Sequence, residues 1–557
     1  MEARSKYAVK FLPSLADFAF LMPLAFLFAR MNGVKTLLGD CDTGWHIRTG
    51  EWIIANGWVP VHDVFSFTKP GAPWFAWEWL SDVLFAKLNA FGGLRTVTIF
   101  AMLLLCVTFG ALFLLVRRKS NAFVAVAITM LAGVDSSIHW LARPHLFTLL
   151  FLVLFYAGLE LVEEGRTRVL GVPILAVFPV ATVLWTNLHG GFFVGALMIL
   201  AYGGGEVLRG LFSPNTADRQ PAWRKAGNYF VSGVACLAAS LINPYSYHLH
   251  VHMAQYLRDP WNSQHIMEFL SPNFHDSTAI FFEAMLVMAV AAGIWNLRRG
   301  RFTEALLIVV WAHGALLAAR NIPIFAIVAA PPVAAAMQQW LLRLPDLRVA
   351  AWLRAAARKF NRVAEETGQT DAMARWHLVS ILGLLLVAAV IYSPHPPKKF
   401  RAEFDPTNFP AGALATLRSD PAGRVFTYDQ WGDYLIYRLY PDHKVFVDGR
   451  SDFYGDDFDD RCSDVLSVKY GWEKTLSSFG VDTILMPPNA PLSGALKESS
   501  RWRVVYDDGI ALVFRSVSRT VGVQVSAAKS DGGDGRDREV TKTLTSDPAI
   551  TGTKPKT

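Results

Sequence analysis

Residues 96–116 read TVTIFAMLLLCVTFGALFLLV, and Arg117-Arg118-Lys119 follow at once. The stretch carries no acidic or basic side chain, and about 20 mostly apolar helical residues cross the hydrocarbon core of a bilayer. Comparable runs lie near 11–29, 120–138, 146–162, 169–186, 191–208, 228–243, 279–297, 302–319, 322–342 and 377–393, which predicts about eleven spans. The first is not read as a cleaved signal, because Asp17 and two prolines interrupt it and no small-residue cleavage site follows. The composition agrees: 52% of residues are hydrophobic and only 18% charged, against about 25% charged in soluble domains. An aromatic content of 13% argues against a disordered or fibrous chain. Cys41, Cys106, Cys236 and Cys462 are too scattered for a disulfide framework or a zinc module.

The distribution of Lys and Arg orients the chain. One set of loops (1–10, 117–119, 163–168, 209–227, 298–301, 343–375) holds 22 Lys/Arg in 75 residues. The opposite set (30–95, 135–145, 187–190, 244–278, 320–321) holds 9 in 118. The basic set is cytoplasmic by the positive-inside rule, which predicts a plasma (inner) membrane protein with its N-terminus in the cytoplasm. The net charge of +7 is then read as cytoplasmic loops rather than as affinity for nucleic acid. Stretch 343–375, rich in Arg and Ala, reads as a helix on the cytoplasmic membrane face. An odd number of spans leaves everything after Tyr392 outside.

Three regions follow: a polytopic all-α membrane domain over 1–395 with a long first outer loop at 30–95, a small extracytoplasmic α/β domain over 396–518, and a disordered tail over 519–557 that is poor in large apolar residues. In the first loop, Asp42–Asn56 and Pro73–Ala90 are expected as helices lying on the membrane, anchored by Trp45, Trp52, Trp74, Trp77 and Trp79. Arg424–Tyr428, Lys444–Asp448, Asp482–Met486, Arg501–Tyr506 and Ala511–Arg515 are expected as strands.

Chemistry concentrates on the outer face. Ten of the 14 histidines fall in the outer loops and none in the inner set. Gly39-Asp40-Cys41-Asp42-Thr43-Gly44-Trp45-His46 places two carboxylates two residues apart just beyond the first span. Such a pair can share a divalent cation (Mg or Mn), or one member can act as a base whose pKa its neighbour raises. Asp42 is equally suited to cap the helix that follows. Glu78, between Trp77 and Trp79, is a further candidate carboxylate. Arg143-Pro144-His145, the turn Asn187-Leu188-His189-Gly190-Gly191, and Arg320-Asn321 come from three outer turns and suit an anionic group, or else snorkel to headgroups. His248, His250 and His252 are spaced as on one face of a strand, open to a zinc site or to interfacial packing.

An acidic residue in the first outer loop, directly after the first of many spans and followed by interfacial helices, resembles the GT-C superfamily of integral-membrane glycosyltransferases. DTGWHIRTGEWI (42–53), VPVHDVFSFT (59–68) and PWFAWEWLSDVLF (73–85) resemble bacterial members of that group. The resemblance implies a sugar donor carried on polyprenyl phosphate and transfer at the outer face with inversion. It implies Asp42 as general base, assisted by Asp40, with His46, Glu78, Arg143, His145, His189, Arg320 and Asn321 about the substrates. Acceptors of the group are glycans, lipids or proteins. The stretch 425–455, with Trp431-Gly432-Asp433-Tyr434, resembles the acceptor-binding region of oligosaccharyltransferases, so transfer to protein is the first alternative. A transporter or flippase would carry charge in mid-span and paired repeats, and a catalytically dead scaffold would lack the aspartate pair.

Overall fold

The computed structural model describes residues 11–374 and 376–517. Residues 1–10 and the tail expected over 519–557 lie outside them.

Among the described residues, six helices are long and apolar enough to cross a membrane: Leu94–Arg117, Ala122–His139, His145–Glu163, Gly190–Phe212, Ala279–Leu297 and Ala319–Asp346. Four shorter apolar helices, Leu15–Ala29, Ile174–Leu188, Phe302–Leu317 and Leu378–Tyr392, pack with them. Asp17 does not break the first of these. It stands in the opening turn, where it accepts hydrogen bonds from the Ser14 amide (2.8 Å) and from Ser380 Oγ of the last apolar helix (2.5 Å). A buried carboxylate is tolerated there because the Ser14 amide and the Ser14 and Ser380 hydroxyls satisfy it. The run expected at 228–243 is the end of a helix, Arg219–Ala239, whose first half is polar. The run expected from 169 begins only at Ile174, after a small hairpin pairing Arg168–Val169 with Val172–Pro173.

In the first loop the helix Asp42–Asn56 forms as expected, but its partner starts at Trp79 rather than Pro73 and ends at Gly92. Residues 73–76 are tied to other segments instead, the Trp74 amide to the Val61 carbonyl (3.0 Å) and the Ala76 amide to Tyr245 Oη (2.8 Å), and 77–78 turn into the helix. The two helices cross in close contact. A Cβ at Gly50 would lie 1.9 Å from the Asp82 carbonyl oxygen, so only glycine permits this approach. His248, His250 and His252 lie on a helix, Tyr247–Arg258, and not on a strand. His250 turns inward to Ser240 Oγ (2.8 Å), while His252 meets Asp452 (2.9 Å).

The C-terminal part is a four-stranded sheet flanked by helices. Val425–Phe426 runs parallel to Thr483–Met486, which pairs antiparallel with Leu512–Ser516, which pairs antiparallel with Trp502–Asp507. Lys444–Asp448 joins no strand of it. Val445 forms a parallel bridge to Ser66 of the first loop, with Val445 N to Phe65 O and Phe67 N to Val445 O both at 3.0 Å. Beside that bridge Arg450, 1% exposed, donates to Asp448 (2.7 Å) and to Asp63 of the first loop (2.8 Å). The first loop and the sheet domain are thus tied together by backbone pairing and a buried guanidinium.

Candidate functional site

Asp42 is the first residue of its helix; Cys41 holds the cap position and makes no side-chain cap. The Asp42 side chain is therefore not spent on capping. It points, 6% exposed, at Arg143 from the turn between two spanning helices: Oδ2 to Nη2 is 2.6 Å. Arg143 Nη1 also reaches Asp40 Oδ2 at 3.1 Å. One guanidinium bridges both carboxylates, an arrangement that its planar fork of donors favours.

The other neighbours of Asp42 come from the sheet domain. The helix Asp429–Leu439 packs on Asp42–Asn56 and brings the buried Asp433 carboxyl up to that of Asp42 beside Gly449. Asp433 Oδ1 accepts from the Gly449 amide (2.9 Å). A Cβ at Gly449 would meet Asp433 Oδ2 at 2.6 Å and Asp42 Oδ1 at 2.9 Å, so glycine leaves the two acids face to face. Two buried carboxyls at that approach resist ionising together, which raises the pKa of the pair. Burial, with Asp40 and Glu268 nearby, pushes Asp42 up to about 7 against the pull of Arg143. Asp433 is pushed well above the ordinary carboxylate range by burial and by Asp42 and Asp448.

A second group lies alongside. Glu78 Oε1 and Oε2 sit 3.2 Å from His189 Nε2 and 3.5 Å from His46 Nε2. His46 Nδ1 is 2.7 Å from Asp82. Burial raises Glu78 to about 8 and lowers His189 to about 3, so a neutral carboxyl sits between two neutral imidazoles. Glu268, in the long outer loop, pairs with Arg320 Nη1 at 3.4 Å.

Asp40, Asp42, Arg143 and Glu268 line one side of a cavity of about 620 Å³, faced by Tyr428 and Gly449 of the sheet domain. Of the residues singled out in the sequence, Asp40, Asp42 and Arg143 share that cavity, and Arg320 reaches it through Glu268. His46, Glu78 and His189 form the adjoining buried group. His145 turns away, its Nε2 2.7 Å from the His139 carbonyl oxygen, and Asn321 Nδ2 donates to the Gly314 carbonyl (3.0 Å), a local turn bond. Glu268, Asp82 and Gly449 were not anticipated. No periodicity links them to Asp42, and only the packing of distant segments brings them close.

Arg143 stands where a divalent ion shared by Asp40 and Asp42 would sit. Among the described residues, no group of three or more His, Cys, Asp or Glu is arranged to hold a metal ion. The pair as it stands does not fit a metal, because a guanidinium already supplies the positive charge.

No protein-family model matches the chain, and no curated protein matches it. Solved structures do. The Archaeoglobus fulgidus oligosaccharyltransferase in the apo form is 11% identical, with a TM-score of 0.52 over 85% of this chain and 69% of its own. The same enzyme tethered to an acceptor peptide containing the NVT sequon is 14% identical, with a TM-score of 0.56 over 85% and 68%. At that identity the likeness is one of fold alone: this chain shares the architecture of these oligosaccharyltransferase structures over 85% of its length.

Proposed function

We propose that the protein transfers a sugar from a polyprenyl-phosphate-linked donor to an acceptor hydroxyl at the extracytoplasmic face of the plasma membrane, with inversion at the anomeric carbon. The observation that carries this reading is the Asp42–Arg143–Asp40 constellation on a cavity shared by the membrane helices and the sheet domain. The acceptor oxygen forms the new bond to the anomeric carbon as the bond to the phosphate oxygen breaks. Asp42, ionised, takes the acceptor proton. The electron pair of the broken bond leaves with the polyprenyl phosphate, whose charge Arg143 and Arg320 neutralise. Asp40 holds Arg143 in place. Asp433 keeps the proton of the carboxyl pair, so that Asp42 is the ionised member when the acceptor arrives.

A second reading, transfer to a protein side chain, is favoured by the fold shared with a structure that holds an acceptor peptide. A strict need for a sequon peptide would select it. The test of the main reading is Asp42→Asn, which keeps size and removes the base. Transfer from a lipid-linked sugar should fall about 10²–10⁴-fold in protein that folds normally, and wild-type transfer by this variant would refute the assignment.

A further inference from the structure

A second cavity, of about 490 Å³, opens on the far side of the helix pair that carries Asp42 and Asp433. Three guanidiniums from separate segments converge on it: Arg48, Arg418 and Arg438. Arg48 is fixed by hydrogen bonds to the Tyr437 carbonyl (Nε, 2.8 Å) and to Glu51 (2.6 Å). Arg438 donates to the Tyr434 hydroxyl (3.2 Å) and Arg418 to the Arg438 carbonyl (3.3 Å), both neutral acceptors. Glu403 is the one carboxylate among the lining residues. The lining thus carries more positive than negative charge, which suits an anion.

Its depth in the membrane is set by two residues. Leu94 lines the cavity and is the first residue of the spanning helix Leu94–Arg117, while Asn89 stands at the end of the preceding interfacial helix. Between them Phe91 is 85% exposed, an apolar side chain suited to acyl chains and not to water. The cavity therefore opens at the headgroup level, at the same end of the bundle as Asp42. Its floor is aromatic, with Phe404, Tyr434 and Tyr437. Asn89 Oδ1 is buried and has no hydrogen-bond donor. A ligand for this cavity combines an anion for the arginines, a hydroxyl for Asn89 and an apolar tail that leaves past Phe91.

We infer that this cavity binds the headgroup of an anionic phospholipid, its phosphate on Arg418 and Arg438 and a headgroup hydroxyl on Asn89. The site is separate from the proposed transfer site and does not depend on that reading.

The test uses the full chain, purified, stripped of lipid and offered phosphatidylglycerol or phosphatidylcholine in micelles, with bound lipid counted by native mass spectrometry. Wild-type protein should retain phosphatidylglycerol over phosphatidylcholine. The double variant Arg418→Gln/Arg438→Gln should bind it on the order of 30-fold more weakly, from about 1 kcal/mol for each cation near a lipid surface. Glu403→Gln, which removes the opposing charge without touching an arginine, should retain more. Inorganic phosphate alone should not raise the melting temperature of the wild type. Equal retention by wild type and double variant overturns the site. Should the double variant fail to fold, Glu403→Gln decides, and no gain in retention then overturns it. Stabilisation by inorganic phosphate without retention of phosphatidylglycerol overturns the lipid as the source of the anion.

Discussion

Arg143 and Asp40 act on Asp42 in opposite directions, and that opposition can be measured. Arg143 Nη2 is 2.6 Å from Asp42 and pulls its pKa down; Asp40 pushes it up, and burial together with the remaining acids leaves it at about 7. If Asp42 is the base, the working form is the carboxylate, and transfer rises with pH through about 7. Unit charges 4 Å apart interact by about 4 kcal/mol at an effective dielectric of about 20, and about 1.4 kcal/mol moves a pKa by one. Arg143→Gln therefore shifts the rising limb up by roughly 2–3 pH units, so that transfer is nearly abolished at pH 7 and partly recovered in alkali. Asp40→Asn removes a like charge and shifts the limb down, by less, since Asp40 acts on Asp42 more weakly than Arg143 does. The assay is a pH–rate profile for consumption of a lipid-linked sugar by purified protein in nanodiscs. It is read as the position of the limb and not as the maximal rate, because a merely structural defect lowers the rate at every pH. Shifts of the two variants in the same direction, or no shift in either, would refute the electrostatic account of the site.

Gly449→Ala would drive a methyl group between Asp42 and Asp433, at 2.9 and 2.6 Å. It should cost about 1–3 kcal/mol by overpacking and about 10²-fold in transfer by displacing the base; unchanged transfer would mean that the pair is not needed face to face. Arg450→Ala leaves Asp63 and Asp448 buried without their guanidinium. A loss of about 3–5 kcal/mol is expected, seen as a lower melting temperature and earlier proteolysis of the sheet domain, whereas wild-type melting would show that Arg450 does not tie that domain down. For topology, a cysteine replacing the exposed Asp457 should react with an impermeant thiol reagent in intact spheroplasts, and one replacing the exposed Lys359 should not. The reverse pattern would invert the orientation drawn from Lys and Arg.

The apolar runs were legible because a bilayer imposes a length and a composition that no packing detail can override. Each run expected to span overlaps a helix, but the run from 169 opens in a hairpin and the run at 228–243 falls at the end of Arg219–Ala239, whose first half is polar. Asp42 was legible for a similar local reason: an acid pair directly after the first apolar helix stands out against its surroundings. Lys444–Asp448 reads as a strand by its alternation, yet its ladder partner is Ser66, nearly 400 residues earlier. Alternation reports which faces are buried, not which backbone completes the pairing. The histidines at 248, 250 and 252 have the spacing of a strand face, but the tertiary packing that seats His250 on Ser240 and His252 on Asp452 makes their segment a helix.

The site itself was decided almost entirely by tertiary structure. The sequence alone determined that Asp40 and Asp42 lie together at the mouth of the first apolar helix and that arginines lie in the outer turns. It did not determine that Arg143 bridges the two acids from 100 residues away, or that Asp433 and Gly449 close on Asp42 from the far end of the chain. A guanidinium becomes a counter-ion, and one carboxyl raises the pKa of another, only at distances of a few ångströms. Those distances follow from the docking of the sheet domain on the first loop, which no local pattern encodes.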